Sequence, residues 1–215
     1  YIDKNVQING NVFLGSSFAN SYFSGAINLA GAARTLSTTN TICFYAPVTN
    51  GGIIKIGPGA LQLYGTNTYS MGTVIRSGTV YASTYGLPGD VTNDGVLVFN
   101  QYRPVAGTYA GVISGCGSIQ KDGANNVTLT GASVITGQTT VLMGTLIQNG
   151  TNTASPVTVN TGAFLCGVGQ VAALTVAGTV GPGTNTIGIG RMIVNSLVLS
   201  NGSALRIQLG NFNDA

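Results

Sequence analysis

Charge is what this sequence has least of. Lys, Arg, Asp and Glu together make up 6% of its 215 residues, against roughly 25% in an ordinary soluble domain. His and Trp are absent, and every acid is an aspartate: Asp3, Asp90, Asp94, Asp122 and Asp214. The lack of His excludes a Ser-His-Asp triad and leaves a cysteine nucleophile without its usual base. The bases Lys4, Arg34, Lys55, Arg76, Arg103, Lys121, Arg191 and Arg206 are scattered. Such spacing makes no phosphate-binding patch, so no nucleic-acid partner is expected. No apolar run nears the roughly 20 residues of a membrane-spanning helix, and no segment has helical periodicity. Low charge with few hydrophobics would mean disorder. Here 44% of residues are hydrophobic and mean hydropathy is +0.34, so the chain is expected to fold.

Cysteine is sparse and odd in number. Cys43, Cys116 and Cys166 lie far apart, and without His a zinc site would need a ligand from elsewhere. The simplest reading makes them buried thiols acting as small hydrophobes; a disulfide or an intermolecular link is the alternative. Gly167-Val168-Gly169-Gln170 and Gly188-Ile189-Gly190 open no helix, so they read as bends rather than nucleotide loops. Gly181-Pro182-Gly183-Thr184-Asn185 lacks the aspartate of a calcium-binding nonapeptide. No metal or cofactor is expected.

What the chain does contain is Gly, Thr, Asn and Ser between short apolar stretches. Ala60–Leu63, Val127–Thr130, Val157–Val159, Leu174–Val176 and Leu205–Leu209 alternate apolar with polar residues, as strands with one buried face do. Asn9-Gly10, Asn50-Gly51, Asp94-Gly95, Asp122-Gly123, Asn149-Gly150 and Asn201-Gly202 mark tight turns. Taken alone, these pairs suggest antiparallel hairpins in a sandwich or barrel. An internal repeat argues otherwise. When the chain is laid over itself with Gly51–Gly57 on Gly117–Gly123, Leu63 falls on Leu129 with no gap. In the same register Gly65 falls on Gly131, and Gly78-Thr79 on Gly144-Thr145. Three turns of about 22 residues account for the displacement, so the expectation is a parallel β-solenoid. Leu63 and Leu129 should then point inward from one wall, three coils apart. Stacking also explains the missing charge, because like charges repeated every ~4.8 Å repel.

The run from Gly57 to Thr73, GPGALQLYGTNTYSMGT, resembles the autotransporter-associated β-strand repeat, whose pattern is G-x-G-x-L-x-L-x-G-x-N-T-Y-x-G-G-T. Ser77–Val80, Gly95–Asn100 and Tyr109–Lys121 are similar to further pieces of it, and the second copy departs at Ser133-Val134-Ile135. The resemblance covers about residues 25 to 209. It implies an all-β, right-handed parallel β-helix over residues 25–215, with 1–24 an N-terminal cap or a diverged first coil. It also implies a secreted passenger at the bacterial cell surface, with its membrane translocator barrel outside this sequence.

The function expected is a non-catalytic structural or adhesive module. Its partner would be a protein or glycan on a host or neighbouring cell. One alternative is a filament subunit that joins end to end as a homo-oligomer. The other is a polysaccharide-binding or polysaccharide-degrading protein, since β-helix enzymes use paired carboxylates. Asp90 and Asp94 are the pair that could meet around one bend, although Pro88-Gly89 before Asp90 and Gly after Asp94 and Asp122 suit plain turns. Tyr64, Tyr69, Tyr81, Tyr85, Tyr102 and Tyr109 form either a contact strip or core and bend packing.

Overall fold

A computed structural model describes residues 1–15, 20–101, 105–183 and 190–207. Most strands are only two to five residues long, and many stop at a glycine or a small polar residue. Each strand pairs in parallel with one a single coil further along, and the ladders form three walls. Wall A holds Ser21–Phe23, Ile42–Phe44, Ala60–Leu63, Thr79–Ala82, Val96–Asn100, Ser118–Asp122, Thr139–Val141 and Val157–Val159 in succession. Wall B runs from Val12–Leu14 through Thr73–Ile75, Val91–Asn93 and Ile113–Gly115 to Ala132–Ile135 and Thr151–Asn152. Wall C begins at Val6–Gln7 and resumes as a six-stranded sheet from Gly107–Tyr109 to Ala204–Leu205. Between those two stretches it is carried by residues 67–69 and the 3-10 turn Thr84–Gly86. Ile27–Thr38 and Val48–Ile56 run from wall C into wall B, while Gln170–Val176 and Ile193–Leu199 join walls B and A into one 19-stranded sheet.

Parallel register puts like on like. On wall A, Ile42, Leu61, Val80, Leu97 and Ile119 form one inward row, and Phe44, Leu63, Ala82 and Phe99 form the next. All nine are buried. Burial of each large apolar side chain contributes about 1.5–3 kcal/mol, and the row shares one narrow core. The Asn-Gly and Asp-Gly pairs sit at corners between walls, not in hairpins, since the strands they join belong to parallel ladders. Asn50 and Gly123 have φ of 57° and 82° there. The three strands within residues 1–24 pair with residues 27–44 in the same parallel sense.

The solenoid expectation holds, but the coil averages about 19 residues over some ten turns and not 22. Along wall A, Leu61 pairs with Val80, Val80 with Leu97 and Leu97 with Ile119, and these three steps are unequal in length. The displacement that overlays the two repeat copies is therefore not a whole number of coils. It carries Ile53 of wall B to Ile119 of wall A, which is three coils and one wall onward. Leu63 and Leu129 are both buried, but Leu63 lies on wall A, paired with Ala82, whereas Leu129 lies on wall C, paired with Tyr109. Corners absorb different numbers of residues, so no fixed number per coil survives over three turns. Gly188-Ile189, Tyr102, Arg103, Asp214 and the far end of the Leu205–Leu209 strand fall outside the described residues.

Candidate functional site

The acids expected at an active site are held by backbone. Asp90 Oδ1 accepts from Val112 N at 2.8 Å, and Asp94 Oδ1 from Cys116 N at 3.1 Å. These acceptors lie at the two ends of Val91–Asn93, each tying its coil to the next. Asp122 Oδ1 accepts from Gly123 N at 2.8 Å within its own corner. Exposed Asp3 pairs with Lys4 at 3.7 Å. Among the described residues no three of His, Cys, Asp and Glu gather to hold a metal. The cysteines divide. Cys43 and Cys166 are buried free thiols, and burial pushes Cys166 up to about 11. Cys116 corrects the buried reading: it is exposed, and its thiol donates to Asp94 Oδ1 at 3.4 Å, which pushes its pKa up and keeps the thiolate scarce.

The tyrosines also divide. Tyr69 and Tyr109 are core residues whose hydroxyls reach Thr73 Oγ1 at 2.7 Å and Gly89 O at 2.6 Å; burial raises both pKa values. Tyr45 and Tyr64 each follow a paired wall A strand, after Phe44 and Leu63, so their rings lie one coil apart. They stack at 5.1 Å with planes 8° apart, and the ring of Tyr22, whose backbone pairs with Cys43, stacks on Tyr45 at 6.2 Å. Ser83 takes the next place in that row. Tyr45, Pro47, Tyr64, Ser83, Tyr85 and Val105 line an open groove of about 410 Å³ there. Tyr64 donates to Gln62 Oε1 at 2.7 Å and Tyr85 to Ala106 O at 3.2 Å, which fixes both rings at the surface. Tyr22 and Tyr45 were not among the tyrosines expected in a strip. Tyr45 and Tyr64 are separated by one true coil, and only its length reveals them as neighbours.

Two charged residues lie where no charge is expected. Lys55 occupies the inward row of wall B between Leu36 and Ile75, and Lys121 that of wall A between Phe99 and Val141. Both are 0% exposed. A buried ammonium is costly unless every N–H finds an acceptor. Lys55 Nζ donates to Ile56 O at 2.9 Å, Gly57 O at 2.8 Å and Ser77 O at 3.1 Å. Lys121 Nζ donates to Asp122 O at 3.1 Å, Gly123 O at 2.7 Å and Met143 O at 2.8 Å. In both, two carbonyls come from the lysine's own corner and the third from the next coil, at the same offset in sequence. Burial lowers each pKa to about 8, with Asp122 opposing it at Lys121.

Residues 53–82 and 119–147 each match the passenger-associated-transport-repeat. The chain carries two passenger repeats. No curated protein matches it, and no solved structure does. Lys55 and Lys121 are each the third residue of a passenger repeat, and all three carbonyls that hold each ammonium lie within the same repeat. Glycines accompany them at fixed places. Gly57 and Gly123, two positions after the lysines, both have φ of 82°. Gly78 and Gly144, each directly after the residue that gives the third carbonyl, have φ of 73° and 68°. Sequence reasoning counted the two lysines among scattered bases. The signal that could have found them was present: they share the repeat register with glycines at both offsets.

Proposed function

We propose that the chain is a structural and adhesive rod segment of a secreted bacterial passenger, working at the cell surface without catalysis. The observation that carries this reading is the pair of passenger repeats built into a continuous parallel solenoid. About ten coils at ~4.8 Å each make a rod near 50 Å long, and such a rod supplies reach. The carboxylates Asp90, Asp94 and Asp122 serve corners through backbone N–H groups, an arrangement that favours a scaffold over a polysaccharide-cleaving pair. The row of Tyr22, Tyr45 and Tyr64, with Tyr85 across the groove, is the contact face for a protein or glycan on another cell. Exposed, rigid aromatics of this kind dominate binding surfaces. Adhesion of beads coated with the purified chain to cells tests this. Replacing Tyr45, Tyr64 and Tyr85 with Ser should abolish attachment while circular dichroism stays unchanged. Attachment undiminished in the folded triple variant would remove the adhesive face from the proposal.

End-to-end assembly is a second reading. Leu197 and Leu199 continue the two inward rows of wall A beside Leu174 and Val176, yet they are 43% and 46% exposed. A further coil laid on that ladder, of the same chain or of a second copy, would cover them. Filaments growing with protein concentration in electron micrographs would support a second copy in that place.

A further inference from the structure

We propose that each passenger repeat is closed by a lysine clasp, a charged lock between one coil and the next that sets only when the later coil has docked. The geometry orders the events. Ile56 O and Gly57 O belong to the corner that follows Lys55, so they meet its ammonium as soon as that corner forms. Ser77 O lies one coil later, and until that coil is laid down the third N–H faces water. Docking exchanges the water for a carbonyl and seals the ammonium at 0% exposure. Asp122 O, Gly123 O and Met143 O repeat the sequence of events around Lys121. An ammonium has three donors, and here each finds one carbonyl, so the lock is complete with no further ligand.

Two observations separate a clasp from a lysine that merely happens to be buried. First, the copies lie on different walls, Lys55 on wall B and Lys121 on wall A. Their wall neighbours differ, yet the three carbonyl offsets and the two glycine offsets are the same, so the clasp itself is what recurs. Second, the later glycine leaves space for it. A Cβ on Gly78 would meet Gly57 O and Gly59 O and stand 2.6 Å from Lys55 Nζ. A Cβ on Gly144 would meet Gly123 O and Ala124 O. Positive φ at both glycines turns the preceding carbonyl toward the lysine's corner. The proposal does not depend on the adhesive reading; it concerns how successive coils are fastened.

The chain's lysines are Lys4, Lys55 and Lys121, and Lys4 is exposed, which supplies an internal standard. Acylation by an N-hydroxysuccinimide ester, followed by mass spectrometry of the intact chain's peptides, reads each clasp separately. At neutral pH Lys4 should react fast, with Lys55 and Lys121 at least about a hundredfold slower, their rate set by local opening. Gly78→Ala should bring Lys55 toward the Lys4 rate and leave Lys121 protected; Gly144→Ala should do the reverse. Should either glycine variant fail to fold, Lys55→Met makes the test. Hydrogen exchange should then quicken across residues 55–82 and stay unchanged across 119–147. Lys55→Arg should not restore protection, because a planar guanidinium cannot send three donors to converging carbonyls. Acylation of Lys55 or Lys121 at the Lys4 rate in the native chain would overturn the proposal. So would full protection of residues 55–82 in Lys55→Met, or quickening of both repeats together in any variant that remains folded.

Discussion

A single buried ammonium shows how this chain handles charge. With 6% charged residues, it has few side chains to pair, and the buried cations Lys55 and Lys121 are held by carbonyls instead of carboxylates. That choice has a pH signature. Lys55 and Lys121 titrate near 8 when folded and near 10.5 when unfolded, so between those values the unfolded chain binds more protons at both sites. Stability from this source therefore rises with pH across that window. Cys43 and Cys166, and beyond them Tyr69 and Tyr109, are shifted upward by burial and act in the opposite sense above about 9 and 10. The lysine contribution is thus isolated by difference. Urea midpoints of the wild type minus those of Lys55→Met/Lys121→Met should climb from pH 7.5 to 9.5, and a flat difference would contradict the burial argument. At pH 7 each Met, which leaves three carbonyls without their donor, should cost about 1–3 kcal/mol. The aspartates behave differently. Asn offers the same Oδ1 acceptor to Val112 N, Cys116 N and Gly123 N, so Asp90→Asn, Asp94→Asn and Asp122→Asn should each cost under about 1 kcal/mol and leave adhesion intact. Asp90→Ala, which strands Val112 N, should cost more in the same urea titration.

Strands of three to five residues are weak elements alone, and their stability comes from the rows they join. Leu63 sits between Phe44 and Ala82 at 1% exposure. Leu63→Ala should therefore cost about 2–5 kcal/mol in equilibrium unfolding, as cavity-forming truncations do. Leu129→Ala should cost a similar amount on wall C, beside Tyr109. Gln62 faces outward, where its side-chain oxygen accepts from Cys43 Sγ at 3.2 Å and Tyr64 OH at 2.7 Å, so Gln62→Ala should cost about 1 kcal/mol. These elements also mark where sequence reading succeeds. Ala60–Leu63 and Val157–Val159 match the structure residue for residue, because alternation inside a strand is a local property. Wall membership is not local. It depends on how many residues each corner absorbs, and the adjacent coils from Val80 to Leu97 and from Leu97 to Ile119 differ in length. The same uncertainty hid the Tyr45–Tyr64 stack and set Leu63 and Leu129 on one wall. The lysines were hidden for another reason: a linear count of bases carries no depth.

At the scale of the whole molecule, a coil touches only the coils before and after it, and stability becomes a sum of nearest-neighbour interfaces. Opening can then begin wherever an interface is weakest. In this chain the inward rows are covered on both sides through the middle, where Leu97, Ile119 and Val141 are 0%, 2% and 0% exposed. On the last described coil, Leu197 and Leu199 continue the same rows at 43% and 46%. The two clasps fasten coils on either side of the middle, Lys55 to Ser77 and Lys121 to Met143. Native-state hydrogen exchange should therefore grade along the chain instead of reporting one cooperative unit. Amides of Val96–Asn100, Ser118–Asp122 and Thr139–Val141 should exchange slowest, and those of Val6–Gln7, Val12–Leu14 and Ile193–Leu199 fastest. Small amounts of urea should widen the gradient, because coils whose side chains are exposed open by breaking less apolar contact than coils whose rows are buried. Uniform protection from end to end would show that coils unfold together, and the nearest-neighbour account of the rod would fail.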